Sequence, residues 1–359
     1  MQTLQCNQAI IILGMHRSGT SALAGVLAKA GIDFGNRLLP AMQQNPKGFW
    51  EHEDIVAIHE LALRSLGSFW DAIEPLQKEW DVEPFVGKFS NDLRVILDRD
   101  FSHSIIWGVK DPRLCRLLPL WRNVLEDIGC RTQYILVIRD PAEVAQSLQV
   151  RNGLSEIRAT LSWMEHTLAA EKNSRGQPRV WVRYEDLMTN WRQALAPLFE
   201  DHLNDLILTS EAEREIDAFL DPLLRHQKDR TAGYQRSEPM RLAQGLYEKL
   251  PLSLNDQQID DDFSNIVDQI QRFREQMLPW IDCLHSDSIR FQNQLEMLDA
   301  DRCHLHKQID GLQKENTRIK SSLSWKLGMP LRLFGNLVHA PKSTLAEILR
   351  HLPSYKKRT

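Results

Sequence analysis

A buried-strand pattern followed by a glycine-bearing basic loop and then a helix constrains this chain more than any other feature. Residues Gln8 to Leu13 form a continuous β-branched and apolar run, as expected of a strand covered on both faces. The loop Gly14-Met15-His16-Arg17-Ser18-Gly19-Thr20-Ser21 follows. Ala22 to Ala30 then reads as a helix stopped by Gly31 in the C′ position. Strand, loop and helix in this order open an α/β domain. The loop lies where backbone N–H groups and the helix dipole favour an anion.

The pattern recurs along the chain. Ser104 to Val109 reads as a second strand, with a helix from Arg113 to Ile128 ending at Gly129. Thr132 to Ile138 is a third strand running into Asp140-Pro141, an N-cap and first-turn pair for a helix that reaches Arg151 before Asn152-Gly153. Arg179 to Arg183 is a fourth, again followed by a helix. Strands alternating with helices imply an α/β fold with a P-loop-type parallel sheet flanked by helices. Beyond about residue 205 the strand signal fades into helices and charged loops.

The net charge of -4 and a pI near 6.3 argue against a protein that coats nucleic acid. Any anion site must therefore be local. The loop has Walker A spacing, GxxxxGK[ST], but Thr20 stands where the lysine belongs. An NTPase needs that lysine and a carboxylate-held Mg²⁺. Arg17 supplies the cation instead, with a forked set of donors for one phosphate or sulfate group. A second anion site is indicated where Arg139 follows the third strand. Ser147 and Arg151, four apart, share one helix face near it.

The five cysteines, Cys6, Cys115, Cys130, Cys283 and Cys303, are odd in number and form no CxxC pair. They indicate neither a disulfide framework nor a zinc knuckle, and the expectation is reduced thiols. No stretch is apolar and long enough for a transmembrane helix. The expected location is cytoplasmic, extending to the inner face of the membrane.

Arg17-Ser18-Gly19-Thr20-Ser21 resembles the 5′-phosphosulfate loop of the PAPS-dependent sulfotransferases, whose donor is 3′-phosphoadenosine-5′-phosphosulfate. Arg139 with Ser147 and Arg151 resembles that family's 3′-phosphate signature. Lys110-Asp111-Pro112 resembles a motif of its tyrosylprotein branch, and Tyr184-Glu185-Asp186-Leu187 the segment that supplies a 3′-phosphate-binding tyrosine. These motifs span roughly residues 8 to 190, and the variant is most similar to bacterial members with proposed glycan acceptors. The resemblance implies a sulfotransferase that uses PAPS, needs no metal and acts on a hydroxyl, with a carbohydrate as the expected acceptor. It implies that His16, Arg17, Ser18, Gly19, Thr20, Ser21, Arg139, Ser147, Arg151 and Tyr184 hold the nucleotide. Arg17 and Lys110 would neutralise charge developing on the sulfuryl group. Related enzymes take the acceptor proton with a glutamate or histidine after the first helix. Glu51 is favoured here, with Phe49-Trp50 as a platform for a sugar face, and His16, His52 and His59 remain candidates. The cluster Arg225, His226, Lys228 and Arg230 is either a loop over the adenosine or surface charge. Two other readings stay open, a P-loop kinase or NTPase and a non-catalytic PAP-binding scaffold.

Near the C-terminus a heptad runs Leu295, Leu298, Arg302, Leu305, Ile309, Leu312, Asn316, Ile319 and Leu323 at alternating a and d positions. Such a seam suits a dimeric coiled coil, with Asn316 fixing a parallel register, or a single amphipathic helix packed on its own domain. The tail after Trp325 is basic and apolar, suited to an anionic membrane face or to a solvated tail. Its start, Ser322 to Arg332, resembles tails appended to bacterial surface-glycan enzymes. The expected organisation is a sulfotransferase-type domain over 1–285, a coiled coil over 286–325 that joins two copies, and a basic amphipathic tail over 326–359.

Overall fold

Four parallel strands build the sheet: β1 (Gln8–Leu13), β2 (Ile106–Lys110), β3 (Arg131–Ile138) and β4 (Arg179–Arg183), in the order β2-β1-β3-β4. A computed structural model of the chain describes residues 8–42, 45–203, 206–220, 237–250 and 261–322, together with Gly328. The strands fall where the apolar runs place them, except that β2 starts two residues later than Ser104 and ends on Lys110. Register sets Ile12 beside Lys110 on one side and Ile135 on the other, so all four strands present their carboxyl ends along one edge.

Ten α-helices are described: α1 (Thr20–Lys29), α2 (Glu53–Ser65), α3 (Val86–Phe101), α4 (Leu114–Asp127), α5 (Pro141–Asn152), α6 (Glu156–Ser174), α7 (Tyr184–Asp201), α8 (Ser210–Phe219), α9 (Glu238–Lys249) and α10 (Asp261–Ser321). Strand side chains alternate between faces. Ala9, Ile11, Leu13, Trp107, Val109 and Leu136 join α2, α3 and α4 in one apolar cluster. Ile10, Ile12, Ile135, Val137, Val180 and Val182 join α1, α7 and α8 in another. A third cluster gathers α5, α6, α9 and the first turns of α10 around Met15 and Ile138. Both faces of the sheet are therefore covered, which explains why its strands read as near-continuous apolar runs.

Cys115 is a buried free thiol whose Sγ accepts the Gly14 N–H at 3.1 Å, and burial pushes its pKa up to about 12. Cys130 is disulfide-bonded, which departs from the expectation of reduced thiols throughout. Cys6 and the side chains of Cys283 and Cys303 lie outside the described residues. No helix among the described residues is long and apolar enough to cross a membrane.

The chain divides into two compact units, Met1–Phe273 and Arg274–Thr359. In the second unit the helix is continuous through the heptad seam as far as Ser321. Leu323, the basic tail apart from Gly328, and the cluster Arg225, His226, Lys228 and Arg230 lie outside the described residues.

Candidate active site at the carboxyl edge of the sheet

Each strand delivers one part of the site from its carboxyl end. After β1 the chain makes the loop 14–19, closed by Ser18 N–H donating to Met15 O at 3.1 Å. Two glycines make this path feasible. A Cβ on Gly14 would lie 2.6 Å from Val137 O, and one on Gly19 would lie 2.2 Å from the Tyr184 ring. Gly19 also sits at φ +95°, and Arg17 takes the left-handed region at φ +71°, which turns its guanidinium toward the cavity. Gly19 caps α1 without a side-chain acceptor, and no acidic residue occupies the first turn. The N-terminal amides of α1 and their dipole are thus left uncompensated by side chains. The Ser18 hydroxyl and His16 Nε2 are buried without a hydrogen-bond partner among the described residues.

From the end of β2, Lys110 Nζ donates to Ser21 Oγ and Phe49 O, both at 3.1 Å, and to the Glu51 carboxylate. Both members of this ion pair are buried. Glu51 is thus no solvated helix start. It precedes α2, inside the cavity wall and tied to the second strand. After β3, Arg139 donates to Glu143 Oε2 through Nε at 2.9 Å and to Arg17 O through Nη1 at 3.2 Å. After β4, Tyr184 opens α7, with its ring against Gly19 and 4.5 Å from the Arg139 guanidinium. Asp140 caps α5, accepting from Ala142 N and Glu143 N at 2.8 and 3.1 Å. That cap aims the helix so that Ser147 Oγ accepts from Arg17 Nε at 2.8 Å.

These groups line one cavity of about 550 Å³. Its wall carries Arg17, Lys47, Lys110, Arg139 and Arg151, and Glu51 is its one carboxylate among the described residues. Burial, then the neighbouring Arg151 and Arg139 charges, pull the Arg17 pKa below its usual value. A bound anion would relieve this repulsion between Arg17 and its cationic neighbours.

The structure brings together nearly all the residues singled out by sequence. His16, Arg17, Gly19, Thr20, Ser21, Glu51, Lys110, Arg139, Ser147, Arg151 and Tyr184 all line the cavity, with Ser18 buried behind it. His52 and His59 do not line it. His52 holds Asp100 at 2.9 Å, and His59 is buried between Asp111 at 2.8 Å and the Trp121 N–H at 2.7 Å, which fixes its ring away from the cavity. His16 lies edge-on to Trp70 at 4.7 Å. Burial, then the charges of Arg113 and His166, hold its pKa well below the usual value. The expected Phe49-Trp50 platform is only half formed. Phe49 lines the cavity under Arg151, whereas Trp50 packs edge-on to Phe34. Glu143 is the residue that sequence reading missed, although its i, i+4 spacing from Arg139 is visible in the chain.

A parallel α/β fold with a basic cavity at the carboxyl edge is the class that fold and site define. No family model and no curated protein matches the chain. Among solved structures it is similar to a sulfotransferase from Mycobacterium tuberculosis, at 14% identity over 60% of this chain and 72% of that one, with a TM-score of 0.41. It is similar to the sulfotransferase domain of a Synechococcus olefin synthase, at 17% identity over 76% and 97% of the two chains, TM-score 0.36. It is similar also to the sulfotransferase domain of the curacin biosynthetic pathway, at 16% identity over 74% and 98%, TM-score 0.33. Likeness of this depth carries no argument about chemistry, which rests on the cavity itself.

Proposed function

We propose that the chain is a sulfotransferase that moves the sulfuryl group of PAPS to a hydroxyl, with a carbohydrate as acceptor. The observation that carries the reading is the cavity's charge, five cationic side chains and an uncompensated helix N-terminus against one lining carboxylate among the described residues, Arg139 being paired also with Glu143. A ligand with phosphate at both ends suits two cationic clusters. Lys110 ends β2 and Arg139 follows β3, on either side of the β1 loop that carries Arg17. The Ser18 hydroxyl and His16 Nε2, buried without a partner among the described residues, belong to the loop that would hold one end of such a ligand.

In this reading the acceptor oxygen attacks sulfur in line as the bond from sulfur to the 5′-phosphate oxygen breaks, yielding a sulfate ester and PAP. Lys110 and Arg17 stabilise charge gathering on the bridging and sulfuryl oxygens. Glu51 accepts the acceptor's proton, since it is the cavity's carboxylate and adjoins Phe49, an apolar surface for a sugar ring. A kinase or NTPase is disfavoured because the lysine of a Walker A loop is replaced by Thr20 and the one lining carboxylate among the described residues is already paired with Lys110.

The test is ligand-dependent melting. PAP should raise Tm well above the effect of ADP or of ATP with Mg²⁺, by linkage to the folded state. Arg139→Ala should weaken PAP about tenfold or more, and adenosine 5′-phosphosulfate, which lacks the 3′-phosphate, much less. Equal stabilisation by ATP and PAP overturns the donor assignment. Transfer of ³⁵S from PAPS to small alcohols but to no glycan overturns the acceptor.

A further inference from the structure

The C-terminal unit carries an apolar stripe that its own described residues leave exposed. Along α10, Leu298, Leu305, Ile309, Leu312 and Ile319 are between 45% and 66% exposed. Steps of seven, four, three and seven residues keep all five on one helix side, over about 32 Å of axis. Large aliphatic side chains in a continuous row lose solvent contact only against a partner.

We propose that this stripe is one half of a parallel, in-register, two-stranded coiled coil formed with a second copy of this chain. Charge complementarity selects both the occupant and its direction. With Arg302, Ile309 and Asn316 at a, the g residues are Asp301, Gln308 and Glu315, and the e residues are His306, Gln313 and Lys320. In a parallel pair, each g residue meets the e residue five positions on in the other copy. The pairs are Asp301 with His306, Gln308 with Gln313, and Glu315 with Lys320, all complementary and each made twice by symmetry. An antiparallel pair sets g against g and e against e, so within residues 301–320 no acid meets a base. The a positions limit the number of strands. Asn316 can hydrogen-bond to its own copy across a two-stranded seam, and Arg302 can carry its charge out to water from such a seam. A three-stranded core would enclose both.

Sedimentation equilibrium of the full chain should give twice 41.6 kDa. The triple variant Leu305→Asp, Ile309→Asp, Leu312→Asp should give one chain, with an unchanged Tm for the first unit. Lys320→Glu should weaken dimerisation roughly 5- to 30-fold, and adding Glu315→Lys should restore it, which a merely misfolded helix would not show. Asn316→Cys should cross-link to its own copy on oxidation beyond any wild-type background, as like residues meet only in a parallel register. A monomer at tens of micromolar, a larger assembly, or a different protein held on the stripe each overturns the proposal. A dimer that resists the Asn316→Cys cross-link overturns the parallel register.

Discussion

Replacing Lys110 by methionine removes the cation shared by Ser21, Phe49 and Glu51 around the cavity. The Glu51 side chain is 7% exposed, so its carboxylate would stay desolvated without the ammonium it is bonded to. Breaking one half of such a pair costs about 3–5 kcal/mol, whereas exchanging both halves for apolar residues is often neutral. For the unit Met1–Phe273 that cost lowers Tm by about 6–20 °C. The double variant Lys110→Met, Glu51→Leu should then melt at least about 4 °C above Lys110→Met alone, a coupling of about 2 kcal/mol. Differential scanning calorimetry at pH 7 reads all three. A double variant that melts at or below the Lys110→Met single variant refutes the claim that these residues form one buried unit. Glu51→Gln separates chemistry from packing, because its amide oxygen still accepts from Lys110 while the proton-accepting charge is gone. PAPS-dependent turnover should fall about a hundredfold with PAP affinity nearly unchanged. Near-normal turnover would move the proton-accepting role to His16, the other candidate in the cavity wall.

Two further outcomes follow from the same geometry. Burial, and then the Arg116 charge, hold His166 down at about 3, and His16 is depressed by burial too, so both histidines bind protons preferentially in the unfolded chain. Their contribution to stability is complete above about pH 6.5 and declines as pH falls, by about 2 kcal/mol for His166 at pH 5. Urea midpoints at pH 7 and pH 5 should show this loss, reduced in His166→Gln, and a midpoint that rises on acidification contradicts the assignment. Gly19→Ala puts a methyl against the Tyr184 ring and a side chain at φ +95°, so it should push the ring from Arg139 and weaken PAP about tenfold. Calorimetric titration showing wild-type affinity would mean that Tyr184 does not shape the site.

Where a signal is local, the chain carries it openly. The apolar run of β1 is contiguous with the loop after it, Ser147 and Arg151 stand one helical turn apart, and the α/β class rests on local signals of this kind. α6 was less legible, since Glu165 and Glu171 sit among its buried positions. What only the tertiary structure decided were pairings across long separations. Lys110 reaches Glu51 across 59 positions, and Arg17 reaches Ser147 across 130. No periodicity encodes such contacts, because they depend on parallel strands stacking their carboxyl ends in the order β2-β1-β3-β4. That stacking also removed His52 and His59 from the cavity, although both follow the loop in sequence as plausibly as Glu51 does. Sequence proximity places a residue near a site. The direction of its side chain, and the partner that claims it first, are set by the packing of segments far apart in the chain.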